Sequence, residues 1–365
     1  MLETLPSDGS LNHGTPIGYS ASAGSENVVC IPYLARCEHT HLIGRPGAGK
    51  TSVMEGMILD DVRRGVGLVI LDPCGDLCER LLLLLPADAV ERTIYLDPGD
   101  PDWIPMWNPF GPVATHGACL DADDMVIAFK NIVEGFGDRL DHILRNIFLV
   151  LSSLPGCTLL DAYNVLRSGT PASEELRARI LQRTDNGLAR NFWAHDFEKY
   201  RDDDLSPLRN KLGKLLLAGP ASLMLSQPEN AFHLGEVMNE GKILLVNLSR
   251  IGFQVRRIVG SLLLSQFRQE ALRRSEIPVT ERRESHLYCD EAQHFATNLL
   301  VDLIAEARRY DVGVTLAHQN MRQFDPRERD ALPSVGSTIV FAVDQADAEY
   351  LTENLLNVGR SEDLV

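Results

Sequence analysis

Residues 40–51 read THLIGRPGAGKT, a short apolar run that passes through three glycines to a lysine and a threonine. The run Thr40–Ile43 has the pattern of a buried parallel strand that ends at a glycine. From Lys50 to about Arg64 the spacing predicts a helix. Between them, Gly44–Thr51 fits G-x-x-x-x-G-K-[ST] at every fixed position and in the strand-to-helix setting that gives the motif its meaning. Gly44, Gly47 and Gly49, with the small Ala48, let the backbone curl so that its amides face phosphate oxygens. Lys50 then reaches the β- and γ-phosphates of ATP and Thr51 ligates Mg²⁺, with Ser52 completing the binding turn. The helix N-terminus adds a partial positive charge. Pro46 has no N–H, so that position donates nothing to a phosphate.

Working outward, GVGLVILD (65–72) reads as a second buried strand, CERLLLLLP (78–86) as a second helix and RTIYLDP (92–98) as a third strand. The order β-α-β-α-β predicts a parallel sheet with helices on both faces. The run Leu81–Leu85, closed by Pro86, is expected to be part of a buried helix. From 111 to 240 the strand signal disappears; segments such as DHILRNIFLVLSSL (141–154) carry helical spacing. The α/β rhythm resumes with KILLVNLS (242–249), a helix from 255, SHLYCDEA (285–292), a helix from 299, VGVTLAHQ (312–319) and STIVFAV (337–343). The expected organisation is a Gly/Ser-rich flexible lead-in over 1–26, a nucleotide-binding domain over 27–110 and 241–365, and an inserted all-α domain over 111–240. The sequence shows no internal repeat.

Composition narrows the class. The chain has 365 residues, 44% hydrophobic and 24% charged, which is ordinary for a globular protein. No apolar run reaches the length of a membrane span, and the acidic, polar N-terminus is unlike a signal peptide. Seven cysteines are scattered without C-x-x-C spacing, so reduced thiols are expected. The net charge of −16 argues against a surface coated by nucleic acid, but not against a local basic lining.

The second chemical element is HLYCDEAQHF (286–295), an apolar strand that ends in two carboxylates. This is a Walker B arrangement. Asp290 is expected to hold Mg²⁺ through water, and Glu291 to polarise the attacking water. The letters DEAQH suggest a helicase box, but a helicase of that type needs a second motor core, and too few residues follow Glu291 to make one. The remaining reading is one RecA-like core, an α/β P-loop NTPase fold with a mostly parallel sheet and an all-α insertion. A single such core completes its site with a neighbour's arginine, worth roughly 10³- to 10⁵-fold in rate in related phosphoryl-transfer enzymes. Arg308 is the candidate, beside Arg309. Gln319, at the tip of a strand, is placed to sense the γ-phosphate. His294 is assigned no role. Two basic clusters, Arg209 with Lys211 and Lys214, and Arg256 with Arg257, are candidates for a DNA-facing lining or for plain solvated helix faces.

THLIGRPGAGKTSVMEGMILDDVRRGVGLVILDPCGDL, GKILLVNLSRIGFQVRRIVGSLLLSQF, YCDEAQHFAT and EARRYDVGVTLAHQ together resemble the type IV secretion and conjugation coupling ATPases, the TraG/TraD-like group of the HerA/FtsK superclass. The likeness runs from about residue 36 to about residue 355; NFWAHDFEKY and SPLRNKLGKLL resemble that family's all-α domain. The resemblance implies a homo-hexameric, Mg-ATP-driven pump for single- or double-stranded DNA or nucleoprotein. It also implies relaxase or secretion-channel proteins as partners, and a cytoplasmic location with recruitment to the inner membrane. Matching positions give Lys50, Thr51, Asp290, Glu291, Arg308 and Gln319 the roles already argued. Two features depart from the family: no N-terminal membrane span is visible, and Cys74 stands in DPCGDL where the family often has histidine. Two other functions fit the same motifs. One is a HerA-like translocase for DNA-end processing or anti-phage defence, which genomic neighbours would distinguish. The other is a nucleotide-switched recruiting adaptor, against which the intact Glu291 argues.

Overall fold

A run of fully buried residues in every central strand sets the architecture. The computed structural model describes residues 14–20, 27–111, 122–130, 137–217, 219–295 and 298–355, which fall into two units. The strands of the first unit are β1 (Gly14–Ser20), β2 (Asn27–Pro32), β3 (Thr40–Ile43), β4 (Gly67–Asp72), β5 (Thr93–Leu96), β6 (Ile243–Asn247), β7 (Ser285–Cys289), β8 (Val312–His318) and β9 (Ser337–Val340). Seven of them form one sheet in the order β5-β6-β4-β7-β8-β3-β9. The pairings β6–β4–β7–β8–β3–β9 are parallel. Burial follows that order: β4, β6, β7 and β8 are buried at every residue, whereas the outermost β9 is only half-buried. Strands covered on both faces need no polar alternation, which is why these segments read as continuous apolar runs.

Helix α1 (Lys50–Arg64) begins after Gly49, whose φ of 106° lies in the left-handed region, and stops at Gly65 in the same region. Met54, Met57, Ile58 and Val62 recur at i, i+3 and i+4 spacing and are buried in the core. Each contributes about 1.5–3 kcal/mol by leaving water. Helix α2 (Asp76–Leu84) corrects one expectation. Leu77, Cys78 and Leu81 face the core, but Leu82, Leu83 and Leu84 are exposed, Leu83 by 86%. A helix two and a half turns long turns only one stripe inward, so consecutive leucines cannot all be buried.

A second difference concerns the N-terminal segment. Residues 1–13 and 21–26 of the expected lead-in lie outside the described residues. Gly14–Ser20, however, pairs antiparallel with β2, and Thr15 Oγ1 donates to Asp60 Oδ2 on α1 at 3.0 Å. The β-branched and aromatic residues of GTPIGYS find a partner strand in NVVCIP that composition alone did not reveal.

A buried charge joins α1 to the sheet. Asp61 is fully buried. Its Oδ2 accepts from Arg36 Nη2 at 2.9 Å, from His286 Nδ1 at 2.7 Å and from the Tyr288 hydroxyl, and its Oδ1 accepts from Arg64 at 3.1 Å. His286 and Arg36 hold its carboxyl far below the usual carboxylate range despite burial.

The second unit holds residues 96–234 and 248–270 and is helical, apart from the last residue of β5. Three of its described helices start where the sequence supplies caps: Thr158 with Asp161 in a reciprocal capping box, Thr170, and Asn186. Phe192, Trp193, Phe197 and Tyr200 pack edge-on or tilted against one another around a π-helical turn. The fully buried Trp107 donates its ring N–H to Gln266 at 2.8 Å, and Asp124 accepts from Arg268 and Gln269. No described helix is long and apolar enough to cross a membrane.

The Asp61 network gives a stability prediction. Arg36→Leu leaves a buried carboxylate short of a partner and is expected to cost about 3–5 kcal/mol. Breaking the exposed Lys199–Asp196 pair should cost under about 1 kcal/mol. Urea unfolding of the two variants compares them; equal losses would contradict the account.

Candidate functional site

The sheet order places β8 between β3, which leads into the glycine loop, and β7, which leads into the acidic pair. In open parallel sheets, ligands bind beyond the carboxyl ends of the strands. The residues at those ends here are Gly44–Lys50 after β3, Gln319 after β8, Asp290 and Glu291 after β7, and Asp72 ending β4.

The glycine loop is pinned at its base. Gly44 N–H donates to the His318 carbonyl at 3.3 Å and Arg45 N–H to the Ala342 carbonyl at 2.8 Å. Gly44 must lack a side chain, because a Cβ there would stand 2.5 Å from Phe341 Cβ. Gly47 and Gly49 take φ of 74° and 106°, conformations open to glycine at little cost. A Cβ at Gly47 would meet nothing within 4 Å, so the loop's outer side is open space. Lys50 is buried, and its ammonium donates to the Gly44 carbonyl at 2.6 Å and the Arg45 carbonyl at 3.2 Å. Burial lowers its pKa, opposed by the nearby Glu291 and Asp290. A buried ammonium over an open loop, at a helix start whose first amides lack intrahelical acceptors, fits a phosphate chain.

The two members of the acidic pair stand in different environments. Asp290 is buried, and burial, Asp72 and Glu291 push its pKa up to about 6. Such a crowded carboxylate is relieved by a cation, and with half-buried Thr51 it could hold Mg²⁺. Asp72 is committed elsewhere: its two oxygens accept from the amides of Cys74, Gly75 and Cys78, so it shapes the loop before α2. Cys74 is an exposed member of that loop.

Glu291 sits in a left-handed backbone conformation, φ 44° and ψ 53°. Its two carboxylate oxygens are held separately. Gln319 Nε2 donates to Oε1 at 2.9 Å, and Gln293 Nε2 donates to Oε2 at 2.6 Å. Two neutral donors orient a carboxylate without neutralising it, which suits a base or water-orienting group. Sequence reasoning placed Gln319 at the site. It did not find Gln293, a loop residue with no pattern to mark it, or the histidine pair beneath the loop. His41 and His318 are buried and stacked, with Nε2 atoms 2.5 Å apart. His318 Nδ1 donates to the Asn320 carbonyl, so its Nε2 accepts from His41. Burial pushes His41 down to about 4 and His318 well below its ordinary value, so both rings are neutral.

Lys50, Asp290, Glu291 and Gln319 therefore gather at one sheet edge, with Thr51 and exposed Ser52 on the first turn of α1. Arg308 is not among them. It precedes β8 at the opposite edge, roughly 20 Å along the strand, is 65% exposed and pairs with Glu38 at 2.7 Å. Arg309 is exposed as well. Among the candidate basic residues, Arg209 binds both oxygens of Asp202, Arg256 braces the carbonyls of Leu248 and Ser249, and Arg257 lies over the Phe253 ring.

A buried lysine in a glycine loop, facing a strand-end carboxylate pair across one intervening strand, defines a RecA-like P-loop NTPase core. The comparisons with known proteins narrow the resemblance. Residues 26–139 match the family model of the type IV secretion-system coupling protein DNA-binding domain. The fold is shared with the plasmid coupling protein TrwB in complex with ADP and Mg²⁺, at 20% identity and a TM-score of 0.65, over 90% of this chain and 76% of that one. TrwB bound to the ATP analogue ADPNP gives 18% identity and 0.65 over 94% and 78%. VirB4 of Thermoanaerobacter pseudethanolicus gives 16% and 0.59 over 96% and 90%. No curated protein matches the chain by sequence. The likeness to the type IV secretion coupling ATPases read from the motifs thus holds in sequence over the matched residues and in fold over most of the chain.

The phosphate cradle yields a binding prediction. A ligand that binds only the folded chain, at a hundredfold excess over its Kd, adds about 2.7 kcal/mol of stability. Mg-ATP should do so for the native chain and add nothing to Lys50→Ala, as read by thermal unfolding. Equal protection of both would remove Lys50 from the phosphate site.

Proposed function

We propose that this chain is an ATP-hydrolysing motor of the type IV secretion coupling class, which assembles into a homo-hexameric ring and moves DNA or nucleoprotein toward a secretion or conjugation channel. The observation that carries the reading is the Glu291 carboxylate, held by Gln319 and Gln293 beside the strand end that faces Lys50. In this reading Lys50 and the amides of Gly47, Ala48 and Gly49 bind the β- and γ-phosphates. Thr51 and Asp290 hold Mg²⁺, which when bound supplies charge neutralisation at the phosphates. Glu291 orients water and accepts its proton. Gln319, bonded to Glu291, links the γ-phosphate position to β8. Residues 27–110 and 241–365 form the nucleotide-binding domain and 111–240 the inserted all-α domain.

Exposed Arg308, distant from its own chain's Lys50, supports a role in trans: it reaches the neighbour's γ-phosphate and leaves its ion pair with Glu38 to do so. The matched DNA-binding-domain family supports DNA as the cargo. Relaxase or channel proteins are the expected partners, and the cytoplasm, with recruitment to the inner membrane, the expected location.

Two experiments test this. ATP turnover should rise with single- or double-stranded DNA, and Glu291→Gln should lower it by about 10²- to 10⁴-fold, the usual worth of a positioned base. Absence of stimulation by either DNA would defeat the translocation reading. Separately, Lys50→Ala and Arg308→Ala, each inactive alone, should recover turnover when mixed, because mixed rings contain interfaces where intact Lys50 meets intact Arg308. No recovery would exclude Arg308 as the trans group.

A further inference from the structure

At the amino end of β7, on the edge of the sheet away from the glycine loop, three side chains of different elements converge. Cys37 precedes β3, Glu284 precedes β7, and His286 is the second residue of β7. One ligand atom of each lies within 4.8 Å of the others. We propose that Cys37, Glu284 and His286 form a zinc site, separate from the nucleotide site and from any part of the reading above.

The neighbours have already oriented the ligands. His286 is 1% exposed, and its Nδ1 lies 2.7 Å from Asp61 Oδ2. Asp61 is ionised and cannot donate, so Nδ1 carries a hydrogen, and Nε2, facing Glu284, is the nitrogen from which a cation would displace a proton. A carboxylate behind a histidine in this manner fixes the tautomer and raises the basicity of the outward nitrogen. Arg64 plays the matching part for Glu284: it binds Oε2 and turns Oε1 toward His286. The two facing atoms, Nε2 and Oε1, stand 2.9 Å apart as an ion pair, but not in hydrogen-bond geometry, and neither buried atom makes any other hydrogen bond. Unsatisfied buried polar atoms are rare in folded proteins and need a cause. The space beside Nε2 is kept free by Gly313, where a Cβ would stand 2.9 Å from that atom.

The donor set selects the metal. A thiolate, an imidazole and a carboxylate suit zinc, whereas magnesium and calcium prefer oxygen alone. Three protein ligands leave a fourth position, and half-buried Cys37 and Glu284 give water a route to it. On binding, the Cys37 thiol and the His286 Nε2, which faces the Glu284 carboxylate, each lose a proton to solvent. The bound ion would tie the segment that enters β3 to the start of β7, the two strands whose far ends carry Lys50 and Asp290.

Cobalt reports thiolate ligation directly, because a thiolate-to-cobalt charge-transfer band appears only when sulfur is bound. The chain, titrated with Co²⁺ in the absence of nucleotide, should develop this band and saturate at one ion per chain. Added Zn²⁺ should abolish it. Cys37→Ser should remove the band and lower zinc affinity by more than about 10-fold, since loss of an outer-shell partner alone costs that much. Glu284→Gln should weaken zinc binding, and Cys74→Ser, at an exposed cysteine elsewhere, should change nothing. Circular dichroism of each variant checks the fold. A native chain with no band, or a band that survives Cys37→Ser, overturns the proposal and leaves the trio a purely protein ion network. Cobalt at Asp290 or Thr51 would lack the sulfur band, so nucleotide-site metal cannot imitate the result.

Discussion

One buried carboxylate sets the terms for the first unit. Asp61 has no water to solvate it, so it must gather donors, and it gathers Arg36, His286, Tyr288 and Arg64. These come from the segment before β3, from β7 and from α1 itself. The contact fixes the rotation of α1 about its axis, because a helix turned by one residue would bury half-buried Asp60 in place of Asp61. The helix start, where Lys50 stands, inherits that rotation. An ion network on one edge of the sheet thereby helps determine where an ammonium points on the other. Its strength is specificity more than net stability, since burying charges costs much of what their attraction returns.

The other constraint is strand order. With β8 between β3 and β7, the glycine loop and the acidic pair are held apart by about two interstrand spacings, roughly 10 Å. That gap is bridged only by whatever stands at the end of β8, and a side chain the length of glutamine is needed to meet Glu291 there. The neutrality of His41 and His318 matters in the same region. Two uncharged rings beneath the loop leave its electrostatics to Lys50 and the helix start. An imidazolium there would add charge to the loop's floor, where water could not reach it.

Much of this was legible in the sequence, for reasons that differ by element. The glycine motif is contiguous, so its meaning survives without tertiary knowledge. The central strands were readable because burial on both faces leaves an unbroken apolar run. Glu291 and Gln319 could be placed because strand ends are marked by the switch from apolar to polar residues. Gln293 could not, because its role depends on a left-handed turn that only coordinates reveal. The Asp61–His286 contact joins residues 225 apart in the chain, and a histidine inside an apolar strand gives no hint of its partner. The leucine run misled because hydrophobicity was read without its angular phase: three of its members point to solvent. The antiparallel pair β1–β2 was missed because glycine and serine between its strands read as slack.

The left-handed backbone at Glu291 has a consequence for how this position can vary. An L-residue with a long side chain costs roughly 1–2 kcal/mol in that conformation relative to glycine. Folding alone would favour glycine or asparagine here, as at other positive-φ positions. A glutamate at 291 therefore stands against the preference of the fold, and in the proposed reading the water-orienting role is what would hold it there. A glycine at this position would be the more stable choice, so the conformation sets a cost of folding against any role its carboxylate has.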